Sequence, residues 1–277
     1  MYRLVYGLLY VVSSLPWWLL YAIGDGLYGL VFYVFGYRKK VVLGNLAIAF
    51  PEKTEAERLR IAKDFYHHFI DTIIETIKLL SVSQTDLDKR FTCNYDWVNQ
   101  YYDSGRNIQL QCGHFFNWEI INLCVSKISR FPFVGVYQPL TNKIMNRIVY
   151  QMRGRNGTIL IPANDFKTGF YSYIKDRYAL GLAADQNPPN PLKAHWVPFF
   201  GCAVIFGHFY PVKRGYYHLQ LDMLVEDANS LAPGELTKLF AAKVEAAVKQ
   251  EPANYLWSHR RWKWTFDPEQ HGHLVVQ

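Results

Sequence analysis

Cysteine is scarce in this chain and follows no pattern. Its four copies, Cys93, Cys112, Cys124 and Cys202, form no C-x-x-C pair and no zinc-type spacing. That excludes a disulfide scaffold and a structural zinc site, and it points to reduced thiols in a cytosolic compartment. G-x-S-x-G, the P-loop pattern and H-E-x-x-H are also missing, which argues against the standard serine hydrolases, nucleoside triphosphatases and zincins. No repeat and no Gly/Ser/Pro-rich linker divides the 277 residues. The chain is therefore one large domain, or one domain with an appendage. Charge is absent from Leu4 to Ile23, a stretch of twenty residues.

Aromatic residues, by contrast, are plentiful. They make up 17% of the chain, within a hydrophobic share of 50%, yet the mean hydropathy is only -0.08. Much of the apolar content is Tyr and Trp, whose polar tips suit a membrane interface. The formal net charge is +7, which fits an anionic partner: a membrane, a nucleic acid, an acidic protein or a phosphorylated substrate.

The uncharged stretch has the length a helix needs to cross a bilayer. A second apolar run, Leu27 to Phe35, follows Asp25, and then come Tyr37, Arg38, Lys39 and Lys40. One spanning helix or a hairpin lying in the interface fits residues 1–40; a buried helix pair is the alternative. The basic cluster keeps the remainder, 41–277, on the cytoplasmic side. Thr54 and Glu57 then form a capping box. Ala62, Phe65, Phe69, Ile73, Ile77 and Leu80 continue as one stripe, predicting a long amphipathic helix near 54–80. His67, Asp71 and Glu75, on its other side, read as a solvated row more readily than as metal ligands.

From about residue 105 short apolar runs alternate with helical patterns. "NIQLQC", "FPFVGVYQ", "GTILIP", "YALGLAAD", "CAVIFGHFY" and "YHLQLDMLV" predict an α/β fold with a mostly parallel central sheet flanked by helices, its last strands antiparallel across Lys213–Gly215. Catalytic groups in such sheets gather at the carboxyl ends of strands. His114 falls there, after Gly113, with Asn117 as a helix cap and Glu119 in the first turn. A loop histidine and a first-turn glutamate can converge, and a carboxylate on one ring nitrogen leaves the other free as a general base. The same two letters also describe a structural histidine beside a helix-start glutamate. Cys112 reads as core rather than nucleophile, since a free thiol of pKa ~8.5 is mostly protonated.

"GHFFNWE" is followed in order by "GVYQPL", "RGRNG", "ADQNPP", "WVPFFG" and "YLWSHRRWKW", and is preceded by "NLAIAFPE". Together these resemble the bacterial lipid A biosynthesis acyltransferase family along nearly the whole chain. The resemblance implies a fold like that of the glycerolipid acyltransferases and an H-x4-(D/E) dyad at His114 and Glu119. It implies an acyl carrier protein thioester as donor, a hydroxyl of a lipid A precursor as acceptor, no covalent intermediate, no metal and no cofactor. The setting implied is the bacterial inner membrane.

In that frame Arg153, Arg155 and backbone amides near Gly113 and Gly201 are candidates for the developing oxyanion. Asp185 and Gln186, at the same sheet edge as His114, read as substrate-binding or supporting polar groups, or else as a loop-closing Asx turn. Phe199 and Phe200 suit an acyl channel, and Arg260 and Lys263 suit anionic headgroups. Basic residues interleaved with Trp257, Trp262 and Trp264 can also bind nucleic acid, although the apolar N-terminus favours the membrane. Other lipid acceptors, an amino-acid lipid or a phosphatidylinositol mannoside, are compatible with the same dyad. The chain departs from the family pattern in two places: a helix expected after Gly201 is missing, and Gln138 stands where many relatives carry a basic residue.

Overall fold

The computed structural model describes residues 1–174, 176–186 and 202–263. Helices α1 (Tyr2–Ser13), α2 (Trp17–Gly29, continued by a π-helical turn over Leu30–Phe35), α3 (Lys39–Ala49), α4 (Glu55–Lys78) and α5 (Gln84–Arg90) come first. Then follow β1 (Phe91–Cys93), α6 (Gln100–Asp103), β2 (Ile108–Cys112), α7 (Trp118–Ile128), β3 (Phe133–Tyr137), α8 (Lys143–Arg153) and β4 (Ile159–Pro162). Helix α9 (Phe166–Tyr173), β5 (Ala179–Ala183), β6 (Ala203–Lys213), β7 (Tyr216–Val225) and α10 (Glu235–Gln250) complete the elements used below.

Seven strands form one sheet in the order β1-β7-β6-β2-β5-β3-β4. Every pairing is parallel except β6 with β7, as the alternating strand and helix texture predicts. Strand β2 lies mid-sheet between β6 and β5 and is buried along nearly its whole length. Its odd-even alternation splits the two faces: Ile108 and Leu110 join the main apolar core, with Phe115, Ile120, Phe209 and Trp257, whereas Gln109 and Gln111 face a cleft described below.

Helix α4 starts on the expected capping box. Thr54 Oγ1 accepts from the Glu57 amide at 3.3 Å, and Glu57 Oε2 accepts from the Thr54 amide at 2.7 Å. Its buried face is wider than the predicted stripe: Tyr66, Ile70 and Ile74 are buried beside Ala62 and Phe65, while Ile73 is 44% exposed. The reason is that α4 is covered from two sides, by the main core and by α2. Asp71 and Glu75, read as a solvated row, are buried in consequence.

Gly24, Gly26 and Gly29 have the spacing of a dinucleotide-binding turn, but they lie inside α2 with no strand before them. Asp25 there accepts from Arg214 Nη2 at 2.6 Å, and a Cβ at Gly24 would meet Ile74 and Asp71 of α4 at 3.5 and 3.6 Å, so this stretch is a packed helix rather than a phosphate cradle.

Candidate functional site

The site is set by strand register. Cys112 and Ala183 are partners at the ends of β2 and β5, and the Ala184 amide donates to Cys112 O at 3.1 Å. Two residues beyond each partner stand His114 and Asp185, so adjacent parallel strands deliver both to one point on the sheet edge. His114 Nδ1 and Asp185 Oδ1 are 2.5 Å apart. Gly113 permits the turn between strand and histidine: a Cβ there would lie 2.9 Å from the Phe115 ring. The loop is held on its far side by the C-terminal segment. The Leu256 amide donates to His114 O at 3.0 Å, and the Phe116 amide donates to Asn254 O at 3.2 Å.

Asp185 is clamped from the other direction. Arg261 Nη1 donates to Asp185 Oδ2 at 2.6 Å and to Asp185 O at 2.7 Å, and its guanidinium lies over the Tyr255 ring at 4.1 Å. The side chains of Asp185 and Arg261 are 4% and 7% exposed, while that of His114 is 23% exposed. Burial pushes the Asp185 carboxyl up, but the His114 hydrogen bond and the Arg261 charge outweigh it and hold the group well below the usual carboxylate range. A carboxylate ionised at any physiological pH thus faces Nδ1. Nε2 of the same ring has no partner among the described residues.

The expected His114–Glu119 contact is not formed among the described residues. Glu119 turns to α8 instead: Arg153 Nε donates to Oε2 at 2.9 Å and Nη2 to Oε1 at 2.5 Å. A guanidinium fork is always charged and matches a carboxylate at two points, so it outcompetes an imidazole for this acid. Trp118 sits between them, its indole N–H donating to Glu119 Oε1 at 3.0 Å and its ring edge-on to His114 with centroids 6.2 Å apart. Asn117 caps α7 as expected, accepting from the Glu119 amide at 3.1 Å.

Neither arginine suggested for an oxyanion is unengaged. Arg153 is committed to Glu119, and Arg155 Nη1 donates to Leu79 O at 2.7 Å. Gly201, Phe199 and Phe200 lie outside the described residues. Gln186 is exposed beside Asp185, and Arg260 and Lys263 are exposed near the end of the described chain. Arg261, grouped in the sequence with a surface basic patch, is buried on Asp185, so that patch loses its central cation. His67, Asp71 and Glu75 do not gather around a metal position: Tyr28 stacks on His67, Arg214 takes Asp71, and Glu75 takes two tyrosines and Asn117. Among the described residues no trio of such side chains forms a metal-binding group. Cys112 is half-buried, and the loss of hydration pushes its thiol up to about 12, which disarms it as a nucleophile.

A cleft of about 1250 Å³ opens beside Asp185. Gln109, Gln111 and Gln186 supply polar points on its wall, and Phe240, Val244 and Val248 of α10, with Trp262, supply much of the apolar remainder.

Residues 1–205 match the family model described as bacterial lipid A biosynthesis acyltransferase. The chain is 25% identical to a lipid A biosynthesis lauroyltransferase of Escherichia coli (strain K12), over 93% of this chain and 89% of the relative. It is 21% identical to a lipid A biosynthesis palmitoleoyltransferase of the same organism and to a lipid A biosynthesis acyltransferase of Shigella flexneri, with the same coverage.

Proposed function

The chain belongs to the bacterial lipid A biosynthesis acyltransferase family, and from that premise we propose that it moves a fatty acyl group from an acyl carrier protein thioester to a hydroxyl of a lipid A precursor, with His114 as general base. The observation that carries this reading is the pairing of His114 with Asp185. An ionised carboxylate on Nδ1 fixes the tautomer in which Nε2 accepts a proton, and it stabilises the imidazolium once formed.

The step balances without a covalent enzyme intermediate. Nε2 takes the hydroxyl proton as the oxygen attacks the thioester carbonyl; the tetrahedral intermediate then breaks its C–S bond, and the leaving thiolate takes the proton back from the imidazolium. Base catalysis of this kind is typically worth ~10²- to 10⁴-fold. Asp185 is the positioning carboxylate in this mechanism, and Arg261 keeps it ionised and oriented. The Glu119–Arg153 pair ties α7 to α8 behind the histidine. The cleft beside Asp185 has the apolar lining that a fatty acyl chain requires. The acceptor is a lipid, so the enzyme works at the inner membrane, with its catalytic domain on the cytoplasmic side where acyl carrier protein is found.

The test is an incubation of purified protein with a lipid A precursor and acyl carrier protein thioesters of several chain lengths, read by product mass. Addition of one acyl group, lost in His114→Ala, supports the proposal. Transfer only from acyl-coenzyme A, or only to an amino-acid lipid or a phosphatidylinositol mannoside, would replace the donor or the acceptor. Full activity in His114→Ala would refute the mechanism.

A further inference from the structure

Trp17–Phe35 is long and apolar enough to cross a bilayer, being about 28 Å at 1.5 Å per residue, but its two ends and its middle are all tied to the catalytic domain. Before it, Lys78 Nζ donates to Ser13 O and Leu15 O, both at 2.9 Å. At its start, Trp17 Nε1 donates to Asp86 Oδ2 at 2.6 Å. Midway, Tyr21 donates to Glu75 at 2.8 Å and Asp25 accepts from Arg214. Towards its end, Phe32 packs edge-on to Tyr66 at 5.2 Å. Just past it, Tyr66 donates its hydroxyl hydrogen to Tyr37 O, and Arg38 Nη1 donates to Ser258 O at 2.8 Å.

Positions 17, 21, 25, 28 and 32 follow helical spacing, so a single stripe faces the domain along the whole helix. If this helix crossed the bilayer, Asp86 and Ser258 would lie on opposite sides of it. Asp25, Asp71 and Arg214, which meet midway along the helix, would then sit in hydrocarbon, where charge is strongly disfavoured.

The other side of the same segment is apolar and bare. Leu4, Leu8 and Val11 of α1 are 66–78% exposed, and Ile23, Leu27, Leu30 and Val34 are 38–68% exposed. Arg3 and Lys40, both exposed, bracket this surface, and exposed Tyr10, Tyr33 and Tyr37 border it. Cations and tyrosines beside an apolar row are what an anionic headgroup layer accommodates.

We propose that residues 2–35 lie in the plane of one leaflet, as a two-helix raft whose apolar side enters the lipid and whose polar side stays bonded to the catalytic domain. Both ends of the Trp17–Phe35 helix are therefore on the same side of the membrane. This rests on the membrane reading above but not on the chemistry assigned to His114.

The experiment uses the full-length protein in bacterial cells, with one exposed position at a time changed to cysteine, Arg3→Cys or the reference Lys238→Cys on α10, and the parent chain as background. A membrane-impermeant maleimide is applied to spheroplasts and to inverted membrane vesicles. The expected result is identical sidedness for the two positions. Opposite sidedness would overturn the in-plane arrangement in favour of a spanning helix.

In parallel, purified protein is floated with phosphatidylethanolamine/phosphatidylglycerol vesicles. The parent should float, and Leu8→Glu/Val34→Glu should float at least tenfold less while keeping its circular dichroism. A parent protein that stays behind as a soluble dimer would overturn the membrane reading itself, assigning the face to a second copy.

Discussion

His114 and Asp185 are 71 residues apart in sequence and 2.5 Å apart at their ring nitrogen and carboxylate oxygen, brought together by the parallel register of β2 and β5. Asp185→Asn should keep the shape of this contact and lose its charge. The imidazolium then has no counter-charge, and the amide can hold the wrong tautomer, a change worth on the order of 10⁴-fold in turnover where a histidine base depends on its acid. Steady-state kinetics should show kcat falling by that order with KM nearly unchanged. A variant within tenfold of the parent would mean that Asp185 does not serve the histidine.

Glu119 should behave as a structural partner of Arg153. Glu119→Ala leaves a guanidinium that is 23% exposed without its carboxylate, and removing one member of a largely buried pair costs ~3–5 kcal/mol. Denaturant unfolding should register that loss, and Glu119→Leu/Arg153→Met should recover much of it. Should Glu119→Ala unfold like the parent and yet be as inactive as His114→Ala, the glutamate would belong to the chemistry.

Adjacent arginines should separate cleanly. Arg261 is buried on Asp185, whereas Arg260 is exposed. Charge-assisted hydrogen bonds are worth ~1.5–3 kcal/mol, so Arg261→Ala should lower turnover about 10- to 100-fold, and Arg261→Lys should lower it less. Arg260→Ala should stay within about twofold, as surface substitutions usually do. The initial-rate ratio of the two alanine variants is the measurement, and equal losses would contradict the clamp.

The strands were legible because each is a short apolar run between turn signals, and β2 to β7 fall on the six runs read from the sequence. The position of His114 at a strand end was legible for the same reason. Its partner, Asp185, was legible as a polar group at the same sheet edge but not as the acid on the ring. Which acid a histidine meets depends on which strand lies beside it, and no local pattern near 114 encodes that β5 is the neighbour of β2. The nearby Glu119 is closer in sequence, but Arg153 arrives from α8 and takes it. Burial of Asp71 and Glu75 was hidden in the same way: a polar row on a helix reads as solvated until a second helix covers it.

Glu75 accepts from Tyr21 at 2.8 Å, from Tyr217 at 2.6 Å and from Asn117 at 2.9 Å, and so it joins the N-terminal helix, the sheet and the cap of α7. Burial, the largest influence, pushes its carboxyl up to about 7 despite these donors. The folded state therefore holds a proton here that the unfolded chain, near the ordinary ~4.3 for glutamate, releases. Stability from this group is complete below the unfolded value and is lost as pH rises through about 7. Over that window each pH unit costs on the order of 1 kcal/mol, and above it the loss levels off. Glu75→Gln cannot titrate, so the parent's stability relative to this variant should decline from pH 4.5 to 7 and then stay flat. Thermal unfolding of both proteins at half-unit pH steps measures the difference. A relative stability that rises with pH would show that the three donors outweigh burial and that Glu75 is ionised throughout.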